Sequence, residues 1–217
     1  MIQPDFPQDP DELFDVVNES GEPTGIVKRR ADVHRDGDWH RAIHVWVYGL
    51  GPDGPHVLYN LRSRHKDTMP LKIDVTVGGH LGAGESPADA FREIEEEIGI
   101  AAAPENLEYL FRRKAYGDTE RELQEVFLLR DDRSLAEFRP NPAELEALVQ
   151  ISLDEAQSLF SEACASVEAT ALIAASGTIE SLTVDEQFLL PQRYFPYYLD
   201  VARAISTRLE GSFTPGV

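Results

Sequence analysis

Three glutamates with helical spacing, Glu93, Glu96 and Glu97, are the residues of this sequence best suited to chemistry. On an α-helix, positions i, i+3 and i+4 fall within an arc of about 100° on one face. Carboxylates so close together repel one another unless solvent screens them or cations neutralise them. The pattern therefore has two interpretations, a solvated acidic face or a site for a hard cation such as Mg²⁺ or Mn²⁺.

The flanking residues predict where this helix begins and ends. Ser86 is an N-cap candidate, and Pro87 occupies the first turn, where proline is tolerated. Gly99 is a natural stop. The sequence therefore predicts a helix over 87–98. The glycine-rich stretch GGHLGAG leads into it, and glycines there let the backbone bend tightly and approach a substrate closely.

Composition limits the possible partners and surroundings. The chain has 217 residues and a net charge of −19, so nucleic acid and anionic membranes are poor partners for its surface. Its one cysteine, Cys164, excludes an intramolecular disulfide and a zinc cluster built on thiolates. No run approaches the roughly 18 apolar residues that a membrane span needs, and the first ten residues do not resemble a secretory signal. These features predict a cytoplasmic protein.

Alternating and helical patterns predict the remaining elements. Strand candidates cover residues 13–17, 25–28, 40–48, 57–62, 74–77, 107–115, 122–130 and 148–152. A further helix begins at Asp154. Beyond residue 163, apolar residues at helical spacing predict two helices, over 163–175 and 196–208. The domain prediction is a loose arm over 1–10, a catalytic domain over 11–162 and a helical extension over 163–217, packed on an α+β core.

A longer pattern frames the glutamates. Gly79 and Glu85 precede the helix, Arg92 stands directly before the first glutamate, and Gly99-Ile100 follows the last. The segment resembles the Nudix box, which reads Gly, five residues, Glu, seven residues, Arg-Glu, an aliphatic residue, any residue, Glu-Glu, any residue, Gly and an aliphatic residue. One spacing differs, because six residues instead of seven separate Glu85 from Arg92. Glu85 must therefore reach Arg92 across a segment that is one residue shorter than in the family motif.

The resemblance implies a role for each residue of the motif. It implies Mg²⁺ or Mn²⁺ ligands at Glu93, Glu96, Glu97, the Gly79 carbonyl and Glu85. Arg92 would orient the carboxylates through a bidentate pair. Family members often place a carboxylate on a neighbouring strand as general base, which makes Glu125 and Glu122 candidates. An outward-facing strand glutamate is the plainer interpretation of either residue.

A second stretch is similar to one branch of the family. The branch is the one related to isopentenyl-diphosphate isomerase. The resemblance lies in His34-Arg-Asp-Gly-Asp-Trp-His40-Arg-Ala-Ile-His-Val-Trp, together with Arg62-Ser and Lys66-Asp. In the isomerases the positions of His34, His40 and His80 hold a second metal; hydrogen-bonded structural histidines are the alternative. Arg62 and Lys66 follow a strand, where they are either phosphate ligands or exposed loop charges.

The resemblance covers residues 12–160 and implies an α/β/α sandwich around a mixed sheet. It also implies Mg²⁺-assisted cleavage of a pyrophosphate linkage in a nucleoside diphosphate-linked or other small diphosphate. Two alternatives are an isomerase and a phosphate-binding module without turnover. The isomerases use a catalytic cysteine shortly before the residue that matches His80. The corresponding residues here, Val75–Gly79, contain no thiol, which favours the hydrolase over the isomerase. The extension over 163–217 is predicted to cover the cleft and to form a homodimer contact.

Overall fold

The computed structural model describes residues 9–66, 68–116 and 121–211. In chain order its elements are β1 (Leu13–Val17), β2 (Pro23–Arg29), α1 (Arg30–Asp36), β3 (Trp39–Gly51), β4 (Gly54–Arg62), β5 (Ile73–Asp74), β6 (Val77–His80), α2 (Pro87–Ala90), α3 (Arg92–Ile98), β7 (Leu107–Tyr116), β8 (Arg121–Arg130), β9 (Leu145–Ser152), α4 (Leu153–Phe160), β10 (Val167–Ile173), β11 (Ile179–Val184) and α5 (Phe195–Gly211). Contacts between Cα atoms divide the chain into two compact units. One comprises Met1–Val45 and Val77–Leu129, and the other comprises Trp46–Thr76 and Arg130–Val217.

The first unit begins with a small two-stranded sheet. Strands β1 and β2 pair antiparallel, with Leu13 opposite Arg29. Phe14 and Val16 alternate inward from β1 and bury against Val33 of α1. This short helix ends where Gly37 adopts a left-handed conformation at φ 66°, a backbone geometry that glycine adopts without a steric penalty.

The rest of the first unit is a sheet covered by α3, the acidic helix, which carries Glu93, Glu96 and Glu97. The first half of β3 pairs antiparallel with β6, which sets Ile43 opposite Gly79. Strand β8 lies beside β3 on the other side and pairs antiparallel with β7. Helix α3 packs on β6 and buries Ile94 and Ile98 completely. Gly79 of β6 therefore faces the helix that carries the glutamates.

The second unit contains a longer antiparallel series. Strand β4 pairs with the second half of β3, with β5 and with β9, and β10 lies between β9 and β11. Helix α5 packs on α4, with the rings of Phe160 and Tyr198 4.9 Å apart. The indole nitrogen of Trp46 donates to the hydroxyl of Tyr197 at 2.8 Å. The aromatic residues of α5 that face this unit therefore form core.

Several predictions of elements are confirmed. The expected strands over 13–17, 40–48, 57–62 and 122–130 are present, and so is the C-terminal helix. The sheet is mixed: all other pairings are antiparallel, whereas β3 and β8 run the same way. Residue numbers rise together along these two strands, from His40 beside Glu122 to the Tyr48 carbonyl, which accepts from the Asp131 amide just after β8. The α+β class is therefore confirmed.

The helix predicted over 163–175 is wrong. Residues Val167–Ile173 form strand β10, in which Val167, Ala169 and Ala171 are buried while Glu168 and Thr170 are exposed. This is a period of two, which is typical of a strand. The pairing of β10 with both β9 and β11 overrides the helix preference of its alanines.

Two shorter predictions also need correction. The strand predicted over 74–77 is divided into β5 and β6, which pair with different neighbours. The single helix predicted over 87–98 is divided at Phe91 into α2 and α3. There the amide of Phe91 bonds to Ala88 and that of Ile94 to Phe91, both three residues back, so the turn is tighter than α-helix.

The domain boundaries stay a prediction. The two compact units interleave along the chain, and neither begins or ends at residue 162 or 163. Residues 1–8 of the predicted arm lie outside the described residues, and so does Gly117-Asp118, the turn predicted to join the strands over 107–115 and 122–130. In the described part of the chain, no helix combines the length and the apolar character needed to cross a membrane.

Candidate active site

The glycine at position 79 brings β6 against the acidic helix. A Cβ built on Gly79 would lie 2.5 Å from Cγ of Glu93, closer than real side chains approach. Only glycine therefore permits this contact without a shift of Glu93. Because Gly79 also leaves its backbone close to the glutamate, its carbonyl and the Glu93 carboxylate are the kind of oxygen pair that a hard cation uses.

The three predicted ligands on α3 differ in exposure. Glu96 is exposed, Glu93 is half-buried and Glu97 is buried, with 6% of its surface accessible. Their spacing places them on a common helical face. This acidic face therefore runs from solvent into the protein interior, unlike a fully solvated surface.

Glu85 reaches Arg92 despite the shorter spacing. Its Oε1 accepts a hydrogen bond from Nη1 of Arg92 at 2.7 Å, and its Oε2 accepts one from the amide of Gly82, also at 2.7 Å. Nη1 of Arg92 also donates to the Asp89 carbonyl, and Nη2 lies 3.6 Å from Glu93 Oε1. The bidentate pair predicted for Arg92 is wrong in this detail, because only one guanidinium nitrogen bonds to Glu85.

Glu125 shares the face of β8 that meets the acidic helix. Phe127, two residues further along β8, makes an edge-to-face contact with Phe91 at 5.0 Å, and alternate residues of a strand face the same way. Glu125 is buried and accepts a 2.6 Å hydrogen bond from Nε of Arg112. Arg112 therefore fixes the position of this carboxylate.

The histidines predicted as a second metal site come together on the other face of β6. His80 follows Gly79, so its side chain points away from α3. One ligand atom from each of His34, His40 and His80 lies within 4.8 Å of the other two. Nε2 of His34 is 3.3 Å from Nε2 of His40, and Nε2 of His80 is 3.2 Å from Oε1 of Glu122.

The 3.3 Å separation between Nε2 of His34 and Nε2 of His40 fits two ligands of one tetrahedral metal. Two nitrogens bound to one Zn²⁺ at about 2.0–2.1 Å lie about 3.3–3.4 Å apart. Nδ1 of His40 donates to the Asp38 carbonyl at 3.1 Å, which leaves the lone pair of Nε2 directed at the cluster. His34, His40, His80 and Glu122 together form the histidine cluster, a donor set suited to Zn²⁺ or Mn²⁺.

Electrostatics favour neutral imidazoles in the histidine cluster. Burial lowers the pKa of His34 to about 4 and that of His80 to about 3. Burial also lowers the pKa of His40. Burial alone would raise the pKa of Glu122, but the hydrogen bonds from His80 and Gln124 hold it well below its usual range. Neutral imidazoles and an ionised carboxylate are the protonation states that metal ligands require.

Two residues around the histidine cluster were not expected from the sequence. Gln124 is buried; its amide nitrogen donates to Oε2 of Glu122 at 2.6 Å, and its Oε1 has no hydrogen-bond partner among the described residues. Arg30 Nη1 lies 3.0 Å from Nδ1 of His80. The period of two in β8 places Gln124 beside Glu122, whereas nothing in the sequence brings Arg30 to His80.

The two predicted phosphate ligands belong to the second unit and form ion pairs there. Arg62 Nη1 is 3.1 Å from Oδ2 of Asp74, and its Nη2 donates to the Thr68 carbonyl at 2.9 Å. Lys66 Nζ is 2.9 Å from Oε2 of Glu144. Both cations are half-buried in these pairs, so neither is simply an exposed loop charge.

The fold and the site define a class of protein: a mixed-sheet α+β chain with a glycine-rich turn that leads into a helix of clustered glutamates. A family model described as the NUDIX domain matches residues 38–169, more than half of the chain. The chain therefore belongs to the Nudix family. The isomerase branch within that family stays a prediction.

Individual relatives agree with this membership. The chain is 44% identical to Nudix hydrolase 3 of Arabidopsis thaliana over 102 residues, which is 46% of this chain and 13% of that protein. It is 30% identical to an uncharacterized Nudix hydrolase of Clostridium acetobutylicum over 149 residues, 67% of this chain and 72% of that one. A crystal structure of the Deinococcus radiodurans protein DR0079 shares the fold, with a TM-score of 0.54 and 21% identity over 70% of this chain and 90% of the other.

Proposed function

We propose that the protein is a divalent-metal-dependent hydrolase that cleaves a pyrophosphate linkage in a small molecule. Its substrate class is a nucleoside diphosphate joined to another group, or another small diphosphate. Membership of a family whose curated relatives are named hydrolases supports the reaction class. The chain spans only about an eighth of the length of the Arabidopsis relative.

The contact of Gly79 with Glu93 carries the proposal. It packs the backbone of Gly79 against the Glu93 side chain, at the start of a helix that also bears Glu96 and Glu97. The Gly79 carbonyl and these three carboxylates would hold Mg²⁺ or Mn²⁺, with Glu85 acting through Arg92. When bound, the metal neutralises phosphate oxygens and lowers the pKa of a bound water.

Other residues of this unit would position the reacting groups. Arg92 holds Glu85 and lies beside Glu93, which keeps the first carboxylate of the helix in place. Glu125, on the face of β8 that meets α3, would accept the proton of the attacking water as general base. Its hydrogen bond from Arg112 fixes the carboxylate before substrate arrives.

The remaining predicted sites are further parts of the proposal. His34, His40 and His80 with Glu122 would hold a second divalent metal, preferably one that accepts imidazole ligands. Arg62 and Lys66 would bind a substrate phosphate after release from Asp74 and Glu144. We also propose that the protein is cytoplasmic, that its partner is a small molecule and that residues 163–217 form a homodimer contact.

A substrate panel tests this function. Purified protein is supplied with Mg²⁺ or Mn²⁺ and a set of nucleoside diphosphate derivatives, and release of phosphate and nucleoside monophosphate is measured. Glu96→Gln and Glu97→Gln should each lower kcat by about 100-fold or more, because each removes a charged metal ligand. Glu95→Gln is the matched control, since Glu95 is a neighbouring exposed glutamate at a position where the motif accepts any residue. Near wild-type turnover by both ligand variants at saturating metal would contradict the proposal.

The histidine cluster favours one second candidate, an isomerase of the isopentenyl-diphosphate type. Its metal site is similar to that of the isomerases, but the residues from Val75 to Gly79 offer no thiol for protonation chemistry. Incubating the protein with isopentenyl diphosphate separates the two functions. Formation of the isomeric diphosphate without phosphate release would favour the isomerase, whereas a phosphate-binding module would show neither product.

A further inference from the structure

We propose that Arg30 competes with a divalent cation for His80 and thereby sets how tightly the histidine cluster binds metal. This inference rests on the proposed metal site of that cluster. Nη1 of Arg30 lies 3.0 Å from Nδ1 of His80, within hydrogen-bond distance. The Arg30 side chain is 11% exposed and packs over the ring of Phe14, which itself stacks on His80. Its position beside the imidazole is therefore a built contact.

The chemistry of this contact fixes the tautomer of His80. A guanidinium only donates hydrogen bonds, so Nδ1 of His80 must accept. In a neutral imidazole the single proton then lies on Nε2. Nε2 faces Oε1 of Glu122 at 3.2 Å and donates to it. Arg30, His80 and Glu122 thus form one directional chain of hydrogen bonds.

His40 shows the opposite arrangement. Its Nδ1 donates to the Asp38 carbonyl, so its Nε2 presents a lone pair to the cluster. Metal-ligating histidines typically donate their second nitrogen to an acceptor in this way. Arg30 cannot be such an acceptor. In the arrangement described, His40 is therefore ready to ligate, whereas the Nε2 of His80 carries a proton where a metal would bind.

Metal binding by His80 then requires Arg30 to withdraw. Glu12 offers a destination, because its Oε2 lies 3.8 Å from Nη1 of Arg30. Once Arg30 moves there, the proton of His80 can occupy Nδ1, and Nε2 can face the metal with its lone pair. Arg30 is thus a positioning residue whose effect on the metal passes through His80.

The tautomer is tested directly in the metal-free wild-type protein. Nitrogen-15 NMR of the histidine rings distinguishes a protonated Nδ1 from a protonated Nε2, and His80→Gln and His40→Gln variants assign the signals. We expect His80 to carry its proton on Nε2 and His40 to carry its proton on Nδ1. A proton on Nδ1 of His80 would overturn the inference.

Metal affinity tests the consequence. Zn²⁺ is titrated in millimolar Mg²⁺, which occupies oxygen sites but competes weakly for imidazoles. Arg30→Gln supplies an acceptor for Nδ1 and should bind Zn²⁺ about 10-fold or more tightly than the control. Arg30→Met, which removes the donor without adding an acceptor, should fall between them. Arg29→Gln is the control, because exposed Arg29 pairs with Asp11 and Asp32 instead of His80.

Two outcomes would overturn the inference. One is equal or weaker Zn²⁺ binding by Arg30→Gln relative to Arg29→Gln. The other is absence of Zn²⁺ binding by every variant, including Arg30→Gln. Neither outcome touches the proposed hydrolase, because pyrophosphate cleavage in Mg²⁺ is measured separately on the wild-type protein. Failure of this inference and failure of the proposed function are therefore distinguishable.

Discussion

Glu85 and Arg92 form an ion pair in which Oε1 accepts from Nη1 at 2.7 Å, while the second oxygen of the same carboxylate accepts from the amide of Gly82. The pair therefore joins the glycine-rich turn to the start of the acidic helix. It does so across one residue fewer than the family motif contains, because the chain tightens at Phe91.

Removing Arg92 should impair activity more than stability. The side chains of Arg92 and Glu85 are 38% and 28% exposed, and partly exposed ion pairs contribute about 1 kcal/mol or less. We expect Arg92→Ala to lower the melting temperature slightly and kcat by about 10-fold or more, because the glutamates lose their fixed cation. Arg29→Ala, which breaks another exposed ion pair, is the control in both measurements. Equal kcat for the two variants would contradict this role.

Gly79→Ala should disturb the metal site without any change of charge. The added Cβ would meet Cγ of Glu93 at 2.5 Å, so the glutamate must move. A displacement of about 1 Å at a reacting site lowers rates by about 100-fold. Steady-state kcat and Mg²⁺ affinity test this. Gly51→Ala is a suitable control, because its Cβ would meet His56 at 3.4 Å and the Gly54 carbonyl at 3.9 Å, both ordinary contacts. Unchanged Mg²⁺ affinity in Gly79→Ala would show that the contact is not part of the site.

Two carboxylates of β8 should behave differently when neutralised. Glu122 faces the histidine cluster, and Glu125 shares the opposite face with Phe127. Glu122→Gln should lower Zn²⁺ affinity at least about 10-fold, because a charged ligand is lost. Glu125→Gln should leave Zn²⁺ affinity unchanged and lower kcat. Each variant serves as the control for the other, and a loss of Zn²⁺ affinity in Glu125→Gln would show that the two faces are not separate.

His56 should contribute to a loss of stability in mild acid, in addition to the histidines of the histidine cluster. Burial lowers the pKa of His56, so the folded protein resists protonation more than the unfolded chain does. Stability is therefore complete above the unfolded value of about 6.5 and decreases as the pH falls below it. Denaturant unfolding between neutral pH and mild acid should show a weaker pH dependence for His56→Gln than for wild type. The same substitution at exposed His65 is the control.

The strands and the motif of this chain could be predicted because they rest on local patterns. Periods of two indicate β1, β3 and β8, and the spacing of the glutamates alone indicates α3. Strand β10 could not be predicted in this way, since alanine-rich sequences favour helices when considered alone. Its strand conformation depends on pairing with β9 and β11, which the local sequence does not reveal.

The site was predictable in its residue types but incompletely in its arrangement. Family resemblance named the three histidines, and the structure brings their nitrogens together. The contact between Arg30 and His80 joins residues 50 positions apart, so spacing alone could not indicate it. The separation of Gly79 from His80 onto opposite faces follows from strand alternation, but only once β6 is known to begin at Val77.

The break at Phe91 makes the spacing before the acidic helix adjustable. Helix α2 has its own N-cap at Ser86, and α3 ends at Gly99 with a left-handed turn. The carboxylates of α3 are therefore held by the ends of their own segment instead of by a continuous helix from Ser86. A deletion between Glu85 and Arg92 alters only the tight turn, and the ligands keep their phase. Natural sequences with other spacings at this point should retain the same arrangement of the three glutamates.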